Sequence, residues 1–128
     1  QSNGHKLIDQ ENYSSGSSVE KGKNFTAEML KRNQDLDCIY CSTDVIAMGA
    51  VMHCLEAGIS IPNELAIAGF NKLSMASGLP IKLATTDSLR FEIGKLAANM
   101  ILERNEQNIT NPAKTIELET SVDMGTSI

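Results

Sequence analysis

The chain has 128 residues, with 11 basic and 16 acidic side chains and a formal charge of −5. That length suits about one domain, and an acidic chain with no Lys/Arg cluster lacks the electrostatic footprint of a non-specific nucleic-acid binder. The longest apolar run, Val45 to Met52, has eight residues, where a membrane helix needs ~20, and no charged start followed by an apolar stretch marks a secretory signal. With three Phe, two Tyr and no Trp, the core must be built from Leu, Ile, Met and Ala, which argues against aromatic stacking platforms for nucleic acid. Three cysteines without a secretion signal read as free thiols in a reducing, cytoplasmic setting. Gln1-Ser2-Asn3 reads as a cleavage scar and is set aside.

Gly4 to Ser18 is polar and Ser-rich, a loop with at most a weak strand at Leu7-Ile8. Ser18 can cap a helix from Val19 to Arg32, with Phe25, Met29 and Leu30 as its apolar stripe and Lys31 and Arg32 suiting its end. Cys38 to Cys41 reads as a strand. Ser42-Thr43-Asp44 then offers capping chemistry for a helix from Val45 to Ala57, stopped by Gly58. Leu65 to Phe70 is a continuous apolar run, the pattern of a strand covered on both faces. Ser74 to Ser77 reads as a helical turn and Leu83 to Thr86 as a short strand. Leu89, Ile93, Leu96, Ala97, Met100 and Ile101 recur at helical spacing up to Arg104. Thr115 to Thr120 alternates, with Ile116 and Leu118 on one face, and predicts a half-buried edge strand. The tail from Ser121 reads as polar and mobile.

Helices alternating with strands in this order predict an α/β layered fold on a mainly parallel sheet. Such sheets bind ligands at the carboxyl ends of their strands. Two loops fall there, Ser42-Thr43-Asp44 and Asn71-Lys72.

Cys38 and Cys41 lack the further Cys or His pair that zinc requires, and a strand is the wrong place for a redox pair, so both read as small buried hydrophobes. Ser42, His53 and Asp44 could be drawn as a nucleophile set, but His53 lies nine residues into the helix after Asp44, and no Gly-rich nucleotide loop or nucleophile elbow is present. The chain therefore reads as a non-enzyme with no cofactor and no metal. Asp44 itself stays open between a helix N-cap and a carboxylate offered to ligand hydroxyls. The helix after it is apolar on both sides, with His53 its one strongly polar side chain. One face must cover the sheet. The other must meet another helix or a second subunit, and the subunit is favoured.

Three blocks in order, Cys41 to Ala50, Gly58 to Pro62 and Leu65 to Asn71, followed by Leu83 to Thr86 and Arg90 to Ala98, resemble the C-terminal half of the sensor domain of LacI/GalR-family transcriptional repressors. Ser17-Ser18 ahead of Gly22, Leu83-Ala84-Thr85 and the ending Met124 to Ile128 are most similar to gluconate-operon repressors. The resemblance implies a three-layer, parallel-sheet, periplasmic-binding-protein-like fold, here mainly its C-terminal lobe. It implies a sugar-acid effector in the cleft, with Asp44, Ser17, Ser18 and Asn71 as effector-binding residues. It implies a homodimer through Val45, Met48, Met52 and Leu55. Residues 4–88 would belong to the C-terminal lobe, 89–108 to a helix of the other lobe, and 109–128 to a return strand and tail. The family's helix-turn-helix and cleft arginine have no counterpart in these residues, so operator DNA would be reached only through a missing N-terminal domain and effector held weakly. The face carrying Leu96 and Met100 is expected to be bare unless another chain covers it. The alternatives are a self-association module without ligand and a sugar-binding protein of the periplasmic type.

Overall fold

The computed structural model describes residue 4, residues 6–106 and residues 114–128. The expected cleavage scar at residues 1–3 lies outside them. A polar strap, residues 6–18, leads into α1 (Val19–Arg32), followed by β1 (Cys38–Tyr40), α2 (Asp44–Ala57), β2 (Ala66–Phe70), a 3-10 turn at Ser74–Gly78, β3 (Ala84–Asp87), α3 (Arg90–Glu106) and β4 (Ser121–Asp123). The four strands form one sheet in the order β1-β2-β3-β4. The first two pairings are parallel and the last is antiparallel, so the α/β class with a mainly parallel sheet is as the pattern predicts.

Both early helices start where their caps dictate. The Ser18 hydroxyl accepts from the Lys21 amide at 3.2 Å, and the Thr43 hydroxyl accepts from the Ile46 amide at 3.4 Å. Gly58, with φ at +72°, ends α2 in the left-handed conformation that glycine adopts without strain. The core gathers Ile39, Ile46, Val51, Cys54, Leu65 and Ile67 between α2 and the sheet.

Helix α2 has three apolar sides with three fates. One packs on β2. A second meets α1 at a glycine crossing: a Cβ on Gly22 would overlap the Ile46 carbonyl, and one on Gly49 the Val19 carbonyl. The third side carries Val45 and Met48, which are half-buried, and Met52 and Leu55, which are 38% and 49% exposed.

Four local expectations are corrected. Thr115 to Thr120 is not a strand; residues 114–120 run without a ladder, and the strand begins at Ser121. Ile116 and Leu118 do share a face, but they turn it toward α3, lining a groove of about 360 Å³ with Leu89, Ile93, Leu96 and Met100. Side-chain alternation needs only an extended backbone, not a pairing partner. Leu96 and Met100, expected to be bare, are half-buried along this groove, but no residue of α3 is fully buried, and its exposed large apolar residues are Phe91, Ile93, Ile101 and Leu102. Cys38 is exposed rather than buried, because alternation along β1 turns it, with Tyr40, to the face opposite buried Ile39. Cys41 and Cys54 are buried, and burial pushes their thiols up to about 12 and about 11, the behaviour of inert core cysteines.

The fourth correction concerns the tail, which is stitched into the sheet. Ser127 is fully buried. Its hydroxyl donates to the Ile67 carbonyl at 2.6 Å and accepts from the Ala84 amide at 2.8 Å. Its carbonyl accepts from the Ile67 amide at 2.8 Å. One serine thus satisfies backbone groups of two strands where they diverge. Removing the hydroxyl leaves a buried N–H and a buried C=O without partners, each costing ~1–3 kcal/mol. Ser127→Ala is therefore expected to lower unfolding free energy by about 2 kcal/mol or more in urea titrations, whereas Ser121→Ala, on the exposed edge, is expected to change it by less than about 0.5 kcal/mol.

Candidate functional site

The carboxyl ends of β1, β2 and β3 carry Ser42-Thr43-Asp44, Asn71-Lys72-Leu73 and Thr85 to Asp87. Asp44 is the hub. It occupies the first turn of α2 and is fully buried. One carboxylate oxygen accepts from the Leu73 amide at 2.5 Å, and the other accepts from the Thr85 hydroxyl at 2.7 Å. The Thr85 hydroxyl oxygen in turn accepts from the Lys72 amide at 3.2 Å. The cap is Thr43, not Asp44, which settles the N-cap alternative. Gly69 makes room for the carboxylate, since a Cβ there would overlap its Oδ1.

These bonds hold a strained loop. Asn71 and Lys72 have φ of +98° and +48°, a region costly for residues with a Cβ, of order 1–3 kcal/mol each. The Asn71 amide donates to the Thr86 carbonyl at 3.0 Å, and the Lys72 ammonium lies 3.3 Å from the Asp87 carboxylate. Asp87 accepts from the Leu89 amide at 3.0 Å. The amide bond from Leu89 and then the Lys72 ammonium hold its carboxyl below the usual range.

A second cluster faces β1. The strap is pinned at one end by Arg32, which bonds Asp9 at 2.9 Å and Glu11 at 2.5 Å. At its other end the Tyr13 hydroxyl bonds Ser42 Oγ at 2.8 Å and Ser17 Oγ at 3.1 Å. Those two hydroxyls, Ser17 first, hold the Tyr13 phenol below its ordinary value. The Tyr13 ring lies 5.9 Å from that of Phe25. A groove of about 670 Å³ runs between strap and β1, with Tyr13 and Ser42 among its walls, a size that suits a small polar ligand.

The expected site residues thus separate. Ser17 is brought to Ser42 through Tyr13 and is exposed, while the Ser18 hydroxyl is engaged as a helix cap. Asn71 stands half-buried at the end of β2. Asp44 lies at the expected strand end but turns inward, with both oxygens bonded within the chain. Tyr13 and Thr85 were not among the expected residues. Tyr13 was signalled by being the one aromatic in a Ser-rich strap; Thr85 and the Leu73 amide had no local signal. Ser42 and Asp44 are each bonded elsewhere, and no hydrogen bond among the described residues joins either to His53. No group of three or more His, Cys, Asp or Glu among the described residues could hold a metal ion, and no helix there is long and apolar enough to cross a membrane.

Parallel strands ending in polar loops, with α2 entered through a buried carboxylate, form an α/β unit of the kind whose ligands sit at the carboxyl ends of its strands. The family model for periplasmic binding protein-like domains matches residues 3–128, and the chain belongs to that family. Its relatives within it are LacI-family transcriptional regulators. A LacI-family regulator from Silicibacter pomeroyi superimposes with a TM-score of 0.90 at 43% identity, over 98% of this chain and 38% of that one. The HTH-type transcriptional regulator IdnR of Escherichia coli K12 is 37% identical over 95 residues, 74% of this chain and 29% of that one. The HTH-type transcriptional regulator GntR of the same organism is 28% identical over 112 residues, 88% of this chain and 34% of that one. The chain therefore spans about a third of the length of these relatives.

Asp44→Ala leaves the Leu73 amide and Thr85 hydroxyl without their acceptor and releases a strained loop. It is expected to lower stability by ~2–4 kcal/mol, with lost hydrogen-exchange protection concentrated at Lys72, Leu73 and Thr85. Uniform loss across the sheet would contradict the clasp described above.

Proposed function

We propose that the chain is the effector-sensing and dimerising portion of a LacI-type repressor that responds to a sugar acid of the gluconate class. The observation carrying this reading is that two neighbouring strand ends carry neutral hydrogen-bonding groups, Ser17 and Ser42 joined through Tyr13 at the end of β1, and Asn71 after β2 on a loop kept in place by Asp44. Hydroxyls and an amide can both donate and accept, as polyol recognition demands. Ser18 supports the same wall through its cap. Because Asp44 is enclosed, its proposed part is to position Asn71 and Lys72 rather than to meet effector hydroxyls directly; a direct contact would require Thr85 or Leu73 to release an oxygen. Effector closing the lobes would shift the population of paired DNA-binding heads in the intact regulator, and operator contact would lie outside these residues.

An NMR titration of the chain tests this. Gluconate and idonate are expected to shift the amides of Ser17, Ser42 and Asn71 with affinity of about millimolar, roughly 4 kcal/mol of binding free energy, and ribose is expected not to. A preference for ribose, or no shift with any of the three, overturns the sugar-acid reading.

The third side of α2 supports a second property. Val45, Met48, Met52 and Leu55 recur along one side of a helix whose other two sides are occupied. We propose this stripe as a homodimer surface. Sedimentation velocity is expected to show a dimer that Met52→Glu converts to monomer; a monomeric parent chain overturns it.

A further inference from the structure

The chain carries 11 basic side chains. Five are matched by carboxylates, Lys23 with Glu56, Lys31 with Glu28, Arg32 with Asp9 and Glu11, Lys72 with Asp87, and Lys82 with Asp123. Among the described residues Lys21, like Lys6, Arg90, Lys95, Arg104 and Lys114, has no carboxylate partner, but of these six it is the one whose side chain makes hydrogen bonds; its helix neighbour Glu20 makes no ion pair with it. Its ammonium is held instead by neutral oxygens, Ser15 Oγ at 2.6 Å and the Gly16 carbonyl at 2.5 Å. It also stands 5.6 Å from the centre of the Tyr13 ring. That ring's hydroxyl joins Ser17 and Ser42, so the unmatched cation flanks the hydroxyl cluster at the end of β1.

We propose that Lys21 reads the acid group of the effector, in a subsite whose hydroxyl-binding partners are Tyr13, Ser17 and Ser42. This rests on the sugar-acid reading above and names the residue that distinguishes an acid from a neutral polyol. An ammonium resting on a serine hydroxyl and a carbonyl exchanges neutral acceptors for a full countercharge when a carboxylate arrives, which adds the attraction of opposite unit charges to the hydrogen bond. The strap positions the cation, because Ser15 and Gly16 belong to the turn that delivers Ser17. The long flexible stem lets the ammonium follow the ligand as a point charge.

The test is an NMR titration of the chain with gluconate and with sorbitol, a neutral polyol of equal carbon number, for the parent, Lys21→Met and Lys21→Arg. Lys21→Met is expected to weaken gluconate about tenfold, leave sorbitol unchanged, and preserve the spectrum away from the strap and Ser42; Lys21→Arg is expected to retain most of the gluconate affinity. Equal losses for the two ligands, or no loss of gluconate, overturn the role of Lys21 while leaving sugar-acid sensing intact. Equal binding of both ligands by the parent chain likewise removes the acid-reading subsite but not polyol recognition. No binding of either ligand removes both proposals together.

Discussion

The loops that follow β2 and β3 at the carboxyl end of this sheet depend on one buried carboxylate. Asp44 starts α2, receives the hydroxyl of β3 and receives the amide that follows β2. A buried carboxylate is tolerable only when its oxygens are bonded, and here the donors come from residues 29 and 41 positions away. The same bonds keep Asn71 and Lys72 at positive φ, a conformation unfavourable above all for Lys72. Glycine at position 69 is part of the arrangement, because any side chain there would enter the space of the carboxylate.

The opposite side of α2 is governed by sterics rather than charge. Gly22 and Gly49 let two helix backbones touch, so the α1–α2 pair is held in one register. That register carries Ser18 and its preceding strap toward the carboxyl end of β1. The position of Tyr13 therefore depends on a backbone crossing in the first turn of α1, together with the Arg32 clamp at the other end of the strap.

Much of this was legible in the chain itself. Ser18, Gly58 and the apolar run before Asn71 mark element ends by local chemistry, and the observed helix α1 coincides with its predicted span. The strand ends were likewise found by order alone. What stayed hidden was decided by distant partners. Whether a carboxylate after Thr43 faces solvent or core turns on Thr85 and the Leu73 amide, and nothing near Asp44 announces them. The strand at Ser121–Asp123 is polar because it is an edge strand, so hydropathy favoured its more apolar neighbours Ile116 and Leu118. Ser127 is invisible to any periodicity argument, since its role is carried by one hydroxyl.

That hydroxyl has a bearing on the order in which the molecule can be completed. Ile67 and Ala84 precede Ser127 by 60 and 43 residues, so synthesis delivers both strands well before the group that joins them. Until then the mouth between β2 and β3 holds open backbone valences in an otherwise apolar setting, an invitation to any passing extended chain. The end of the sheet opposite the Asp44 loop is the part whose backbone pairing depends on Ser127.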